Sequence, residues 1–239
     1  MKRFERFKRH FLHALCPNQC ACCGKVIYAD CQLCEDCAAV LPVIEEGVCP
    51  ACGGPLRKCK GDHARTRVPC ISPFFYEGVV KDGLLTLKAG ATAHGVGFFG
   101  RQMSHAVTNR FGHSFDGIVY VPMTKNKLRK RGYNQSRFLA RAMAKYLGIP
   151  VLDGALIRLY DTDDQHGLGL RHRKGNVLGV FEPNPQLVAG KHLLLVDDIV
   201  TTGATIDECA KMLLLADCEE VCCVTAASTL LQKAEKRRG

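Results

Sequence analysis

The run LLLVDDIVTTGAT at residues 193–205 constrains the fold of this chain more than any other segment. Its first four residues, Leu193 to Val196, are continuously apolar, which suits a strand buried on both faces in the middle of a parallel sheet. Two acids, Asp197 and Asp198, follow as the chain turns through Ile199 and Val200 into a small, hydroxyl-rich stretch, and a helix is predicted over 205–215. Ligands of parallel α/β sheets bind beyond the carboxyl ends of the strands, so both acids are expected beside a ligand. In the stretch Thr201, Thr202, Gly203, Ala204 and Thr205, Gly203 lets the backbone come close, unpaired amides at the helix start can point at a phosphate, and the hydroxyls add donors. The helix dipole places about half a positive charge at that end. Asp197 and Asp198 repel a phosphate, so their expected partners are hydroxyl groups and a divalent ion carried by the ligand. A phosphate on one side and a diol on the other describe ribose 5-phosphate.

Strand and helix patterns alternate along the rest of the chain. Helices are predicted over 79–88 and 98–110, and a buried strand over 116–122 ends at Pro122. An amphipathic helix over 134–147 has Asn134 as its N-cap and Phe138, Leu139, Ala142 and Met143 on its apolar side, and another strand is predicted over 220–226. Such alternation implies an α/β sheet. A length of 239 residues accommodates one full α/β domain plus a small module. The expected division is a basic amphipathic segment at 1–15, a metal-stapled module at 16–72 and the α/β domain at 73–239. In the first segment Phe4, Phe7, Phe11, Leu12 and Leu15 recur at helical spacing among Lys and Arg, as in a short docked helix. That segment lacks the continuous apolar run of a signal peptide or a membrane span.

The module at 16–72 follows from cysteine spacing. The chain carries fifteen cysteines, and Cys20-x2-Cys23 with Cys34-x2-Cys37 makes one four-thiolate set suited to tetrahedral zinc. Cys49-x2-Cys52 with Cys59 begins a second set. His63 can complete it as a Cys3His site; Asp62, or loss of the second metal, are the alternatives, and Cys16, Cys22 and Cys31 compete for the first set. Closed thiolate sets leave no open coordination position, so the expected role of zinc is structural, and its binding at roughly 10–16 kcal/mol would hold a module with little core. Cys209, Cys218, Cys222 and Cys223 lie in apolar patterns and read as small buried hydrophobes. Paired thiols of this kind suit a reducing cytoplasm.

The formal net charge of +10 points to an anionic partner. Lys125, Lys127, Arg129, Lys130, Arg131, Arg137, Arg141 and Lys145 occur with no acid among them. The first five are expected in a loop after the 116–122 strand, again at the carboxyl end of the sheet, where terminal phosphates would need several cations.

The 193–205 run resembles the phosphoribosyl pyrophosphate signature of type I phosphoribosyltransferases. The resemblance implies that Asp197 and Asp198 meet the ribose hydroxyls, that Thr201, Thr202, Gly203, Ala204 and Thr205 hold the 5′-phosphate, and that the basic stretch with Lys125, Arg129, Lys130 and Arg131 meets the pyrophosphate. Val121 and Pro122 lead into LRKRGYNQS, whose Gly132, Tyr133, Asn134 and Gln135 look like the RGFNQ or RGYNQ motif of the ComF family. Thr162, Gln165, Leu170, Arg173, Asn176, Val177 and Phe181 resemble a further stretch of that family, and the cysteine-rich start resembles its double zinc ribbon. Lys88, in LKAG, resembles its LK-x-G motif, with Ala89 where the family has an aromatic residue; whether Lys88 reaches the site or caps a helix stays open.

Taken together, the resemblance implies a type I phosphoribosyltransferase-like parallel sheet flanked by helices, with a small N-terminal zinc-ribbon module. It implies a cytoplasmic protein that binds phosphoribosyl pyrophosphate or a related ribose phosphate with Mg²⁺ and acts in natural competence and DNA uptake, with competence-machinery proteins as partners. A polar loop at 161–175 would close over the ligand, placing Arg171 and Arg173 against the charge on departing pyrophosphate. Three activities fit: phosphoribosyl transfer to an unnamed acceptor, binding of single-stranded DNA, and sensing of the ligand without turnover. An aromatic content of 7% with no Trp leaves few stacking platforms for bases.

Overall fold

The computed structural model describes residues 17–28, 31–47, 49, 66–90, 93–112, 114–159 and 180–230. Apolar runs become strands and amphipathic runs become helices in the order α1 (Glu35–Ala39), β1 (Cys70–Ile71), β2 (Phe74–Phe75), α2 (Gly78–Ala89), α3 (Ala93–Phe111), β3 (Gly117–Tyr120), α4 (Lys125–Arg131), α5 (Gln135–Leu147), β4 (Leu156–Arg158), β5 (Phe181–Pro183), α6 (Pro185–Val188), β6 (His192–Val200), α7 (Ala204–Leu214) and β7 (Glu220–Ser228). The main sheet runs β1-β7-β6-β3, β2 also pairs with β7, and every pairing is parallel. A second, two-stranded antiparallel sheet joins β4 to β5.

The two central strands explain the layering. Side chains alternate between the faces of a strand. Leu194, Val196, Cys222 and Val224 join Leu84, Leu87, Phe98, Phe99, Met103, Leu139 and Met143 in one core, beneath α2, α3 and α5. Leu193, Leu195, Val221 and Cys223 join Ile206, Cys209, Leu213, Phe181 and Val188 in the other, beneath α7. Each such side chain contributes roughly 1.5–3 kcal/mol when taken out of water. Cys209, Cys218, Cys222 and Cys223 are buried free thiols in these layers, as their apolar settings imply.

The described part of the thiolate module packs against the α/β core. Cys20, Ala21, Cys22, Cys34 and Cys37 belong to the same apolar cluster as Phe74, Val80 and Leu84. Gly83 of α2 approaches it so closely that a Cβ there would lie 2.9 Å from the Ala21 carbonyl oxygen. The strands at 70–71 and 74–75 enter the main sheet. Among the described residues, no helix is long and apolar enough to cross a membrane.

Three local expectations are corrected. The strand predicted over 193–196 continues through both acids to Val200, because β7 pairs with it as far as Asp197↔Thr225, Ile199↔Ala227 and Val200↔Ser228. The five cations expected in a loop after β3 lie instead on helix α4. Thr124 caps it by accepting from the Lys127 amide, and Gly132 closes it in the left-handed conformation at φ 83°. Phe138, expected on the apolar side of α5, is 38% exposed, whereas Leu139 and Met143 are fully buried. The basic segment at 1–15 lies outside the described residues.

Helices α3 and α5 cross at Gly100, where an added Cβ would lie 2.5 Å from the Ala142 Cβ. Gly100→Ala is therefore expected to lower stability by about 1–3 kcal/mol through overpacking. Adding Ala142→Gly should return part of that loss in urea titrations, despite its own helix cost of about 1 kcal/mol.

Candidate functional site

At the carboxyl end of β6 the chain brings an acid pair and a hydroxyl-rich loop together. Val200 leads into Thr201 and Thr202, both exposed, and Gly203 turns the backbone at φ 84° to start α7. Only a residue without a Cβ adopts that conformation readily, so Gly203 sets the direction of the helix start. Residues 199–206 and Asp197 line a small concavity of about 40 Å³. The first amides of the eleven-residue α7 and the hydroxyls of Thr201, Thr202 and Thr205 are the donors available to an anion there.

The acids are held by residues far away in sequence. Asp198, 8% exposed, accepts from Lys88 Nζ at 3.1 Å and from Gln135 Nε2 at 3.1 Å. Asp197 Oδ1 accepts from Ser136 Oγ at 2.8 Å and from the Asp198 amide at 2.9 Å. Lys88 thus reaches the site rather than only ending its helix. Burial, and then the charge of Asp198, push the Asp197 carboxyl up to about 7.

The GYNQ motif accounts for this arrangement residue by residue. Asn134 Oδ1 accepts from the amides of Ser136 and Arg137, capping α5, while its Nδ2 donates to the Val121 carbonyl at 3.0 Å, which fixes the helix start against the end of β3. Tyr133 OH donates to the Leu87 carbonyl at 2.8 Å, one residue before Lys88. Arg131 Nη1 donates to Gln135 Oε1 at 2.9 Å, orienting the amide that serves Asp198. Gly132 supplies the turn between α4 and α5. Helix α4 has no buried residue, so Lys125, Arg129, Lys130 and Arg131 are all exposed near the same end of the sheet.

In the cysteine module the structure brings Cys20, Cys23, Cys34 and Cys37 together, with all four sulfurs within 4.8 Å of one another. The Cys23 and Cys34 sulfurs are 3.7 Å apart. A tetrahedron with metal–sulfur bonds of about 2.3 Å has edges of about 3.8 Å, so the set fits zinc. Cys22 and Cys31 stand outside it. Cys49 is buried. Cys16, Cys52, Cys59, Asp62 and His63 lie outside the described residues, as do Gln165, Arg171, Arg173 and Asn176.

Sequence reasoning assigned no role to Ser136, although it directly follows the motif's Gln135. It also passed over Asp153, whose isolated position offered no pattern. Asp153 takes a two-pronged contact from Arg137, at 2.9 and 3.1 Å, with further bonds from Arg141 at 3.2 Å and Tyr120 OH at 3.0 Å. The Arg137 hydrogen bonds chiefly hold its carboxyl down at about 2.

Comparison with known proteins follows the same outline. The phosphoribosyl transferase domain family matches residues 134–238. The DNA utilization protein YhgH of Salmonella typhi is 39% identical over 99 residues, which cover 41% of this chain and 43% of that protein. Competence protein F of Haemophilus influenzae is 32% identical over 108 residues, 44% of this chain and 47% of that protein. Competence protein ComFC of Bacillus subtilis is 25% identical over 196 residues, 77% of this chain and 78% of that protein. The chain therefore spans less than half the length of the first two relatives.

Because Asp197 holds its proton to about pH 7 in the folded chain, against an ordinary value of 3.8, folding stability should fall as pH rises from about 4 to about 7 and then level off. Asp197→Asn is expected to flatten that slope and to be more stable than the parent at pH 8, as read by urea denaturation across the range. For the thiolate set, metal analysis of purified protein should find zinc, and Cys37→Ser should lower the zinc content and the unfolding temperature together.

Proposed function

We propose, from the premise that the chain belongs to the ComF family of phosphoribosyltransferase-fold proteins, that it binds phosphoribosyl pyrophosphate or a related ribose phosphate at the end of β6 and acts in competence-linked handling of DNA. The observation that carries this reading is the hydrogen-bonded acid pair beside a hydroxyl-rich helix start. The 5′-phosphate is assigned to the α7 amides and to Thr201, Thr202, Gly203, Ala204 and Thr205. The ribose hydroxyls are assigned to Asp197 and Asp198 as acceptors. Lys88 and Gln135 hold Asp198 in one orientation, so it presents a fixed acceptor rather than a rotating one. The pyrophosphate is assigned to the cations of α4.

Magnesium fits this donor set: Asp197 Oδ2 takes no hydrogen bond from the described residues, and that carboxylate would hold the ion, directly or through water. The ion would supply neutralising charge to the pyrophosphate. In the transfer reading, a nucleophile on the acceptor bonds to the anomeric carbon, the carbon–oxygen bond to pyrophosphate breaks, and its electron pair leaves with that group. Arg171 and Arg173 are the residues assigned to that departing charge. The Cys20, Cys23, Cys34 and Cys37 set is assigned a structural zinc that holds the N-terminal module to α2.

Calorimetry with phosphoribosyl pyrophosphate and Mg²⁺ tests the reading. The parent should bind, and the double variant Asp197→Asn, Asp198→Asn should lose at least about tenfold in affinity, since hydrogen bonds to charged groups are worth roughly 1.5–3 kcal/mol each. Unchanged affinity would sink the assignment. Pyrophosphate release in the presence of a nucleobase panel separates transfer from sensing: binding without release selects the sensor.

A further inference from the structure

A second described cavity lies away from the one at the phosphate loop. It lies where α4, α5 and β4 meet, has a volume of about 580 Å³, and includes none of residues 197–206 among its walls. That volume is within the roughly 300–1,000 Å³ typical of small-molecule sites. From its lining we propose that this cavity is a second binding site, for a phosphorylated nucleoside, either free or as a unit of a single strand. The proposal goes beyond the ribose phosphate reading and shares only Lys125 with the ligand contacts assigned there.

One half of the wall is ring and hydrocarbon. The rings of Tyr133 and Phe138 lie with centroids 5.8 Å apart, tilted by 56° to one another. Phe138, Leu128 and Ile157 line the cavity while remaining 38%, 41% and 45% exposed. Three large apolar side chains left open around one concavity mark a surface prepared for a partner group rather than isolated exposed residues. The other half is cationic: Lys125, Arg137, Arg141 and Arg158 line it, and among the described residues no carboxylate does.

Asp153 makes this wall rigid. It is not among the lining residues, yet it binds Arg137 through two hydrogen bonds and Arg141 through a third, with Tyr120 OH adding a fourth. One carboxylate thus fixes two guanidiniums and leaves one positive charge uncompensated at the cavity. Fixed guanidiniums are suited to a phosphate, which they meet in a planar, two-pronged geometry. The exposed Phe138 ring, backed by the half-buried Tyr133, suits the flat face of a base, because stacking asks only for a π surface. A simple anion would leave the ring half uncovered, and a hydrocarbon would strand the cations. A base carrying a phosphate satisfies both halves.

The test uses the full chain and three titrants, dAMP, a short oligodeoxyadenylate and ribose 5-phosphate, followed by calorimetry. Phe138→Ala should weaken dAMP, the oligonucleotide or both by about tenfold, as expected for loss of one base-stacking contact, and should leave ribose 5-phosphate unchanged. The variant Asp197→Asn, Asp198→Asn should do the reverse. Loss confined to the oligonucleotide identifies the source as a single strand; loss for both identifies a site that also takes free nucleotide. The proposal is overturned if the parent binds neither base-containing titrant, if Phe138→Ala leaves both affinities intact, or if ribose 5-phosphate weakens as much as they do. Failure of ribose 5-phosphate to bind any form would remove the sugar-phosphate reading and leave this one standing. Should Phe138→Ala fold poorly, ultraviolet crosslinking of 5-iodo-dUMP to the parent decides: adducts at Tyr133 or Phe138 support the cavity, and adducts elsewhere reject it.

Discussion

Two neighbouring carboxylates at the end of a buried strand are the costly element of this structure, and their neutralisation organises what surrounds them. A buried charge without partners would cost several kcal/mol, so it is either paired or protonated. Both solutions are present. Asp198 is paired, with Lys88 and Gln135 on one oxygen. Asp197 is pushed up to about 7 and shares its first oxygen with Ser136 and a backbone amide. The partners come from the end of α2 and the start of α5, so three segments spread over more than a hundred residues must be in place before the pair is satisfied. Carboxyls perturbed in this way cluster at functional sites.

The same end of the sheet explains the position of α4. Its seven residues are too few for a helix to be stable alone. It buries nothing, and is held by Thr124 at its start and Gly132 at its end. The helix therefore serves to display cations, and its last turn places Arg129, Lys130 and Arg131 where the helix dipole favours positive charge. A cluster of exposed cations beside an acid pair draws anions to this face while the acids prevent a phosphate from settling on β6 itself.

Several of these features were legible in the residues. The four apolar residues before Asp197 could only be a central strand, Asn134 could be read as a cap, and the C-x2-C spacings identified the four sulfurs that meet. What escaped the sequence was decided by contacts across the fold. The end of β6 could not be located because Asp197 and Asp198 look like a turn until β7 is known to pair beyond them. Helix α4 has no apolar period and reads as a charged loop. Phe138 falls at the margin of the α5 apolar stripe; packing resolves it outward because Leu139, Ala140 and Met143 already fill the core side. Lys88 could not be placed, since its partner lies 110 positions later.

Lys88 also connects the two chemistries of the chain. Its helix touches the cysteine module at Gly83, where there is no room for a Cβ against the Ala21 carbonyl, and reaches Asp198 five residues further on. That spacing is about one and a half helical turns, a distance over which an α-helix behaves as a rigid rod. Tyr133 fastens the same end of the rod through the Leu87 carbonyl. The thiolate cluster sets the seat of α2, and α2 sets the ammonium group of the acid pair. A module that looks from composition like an appended ribbon is, by this route, packed on the helix that carries Lys88 to the candidate site.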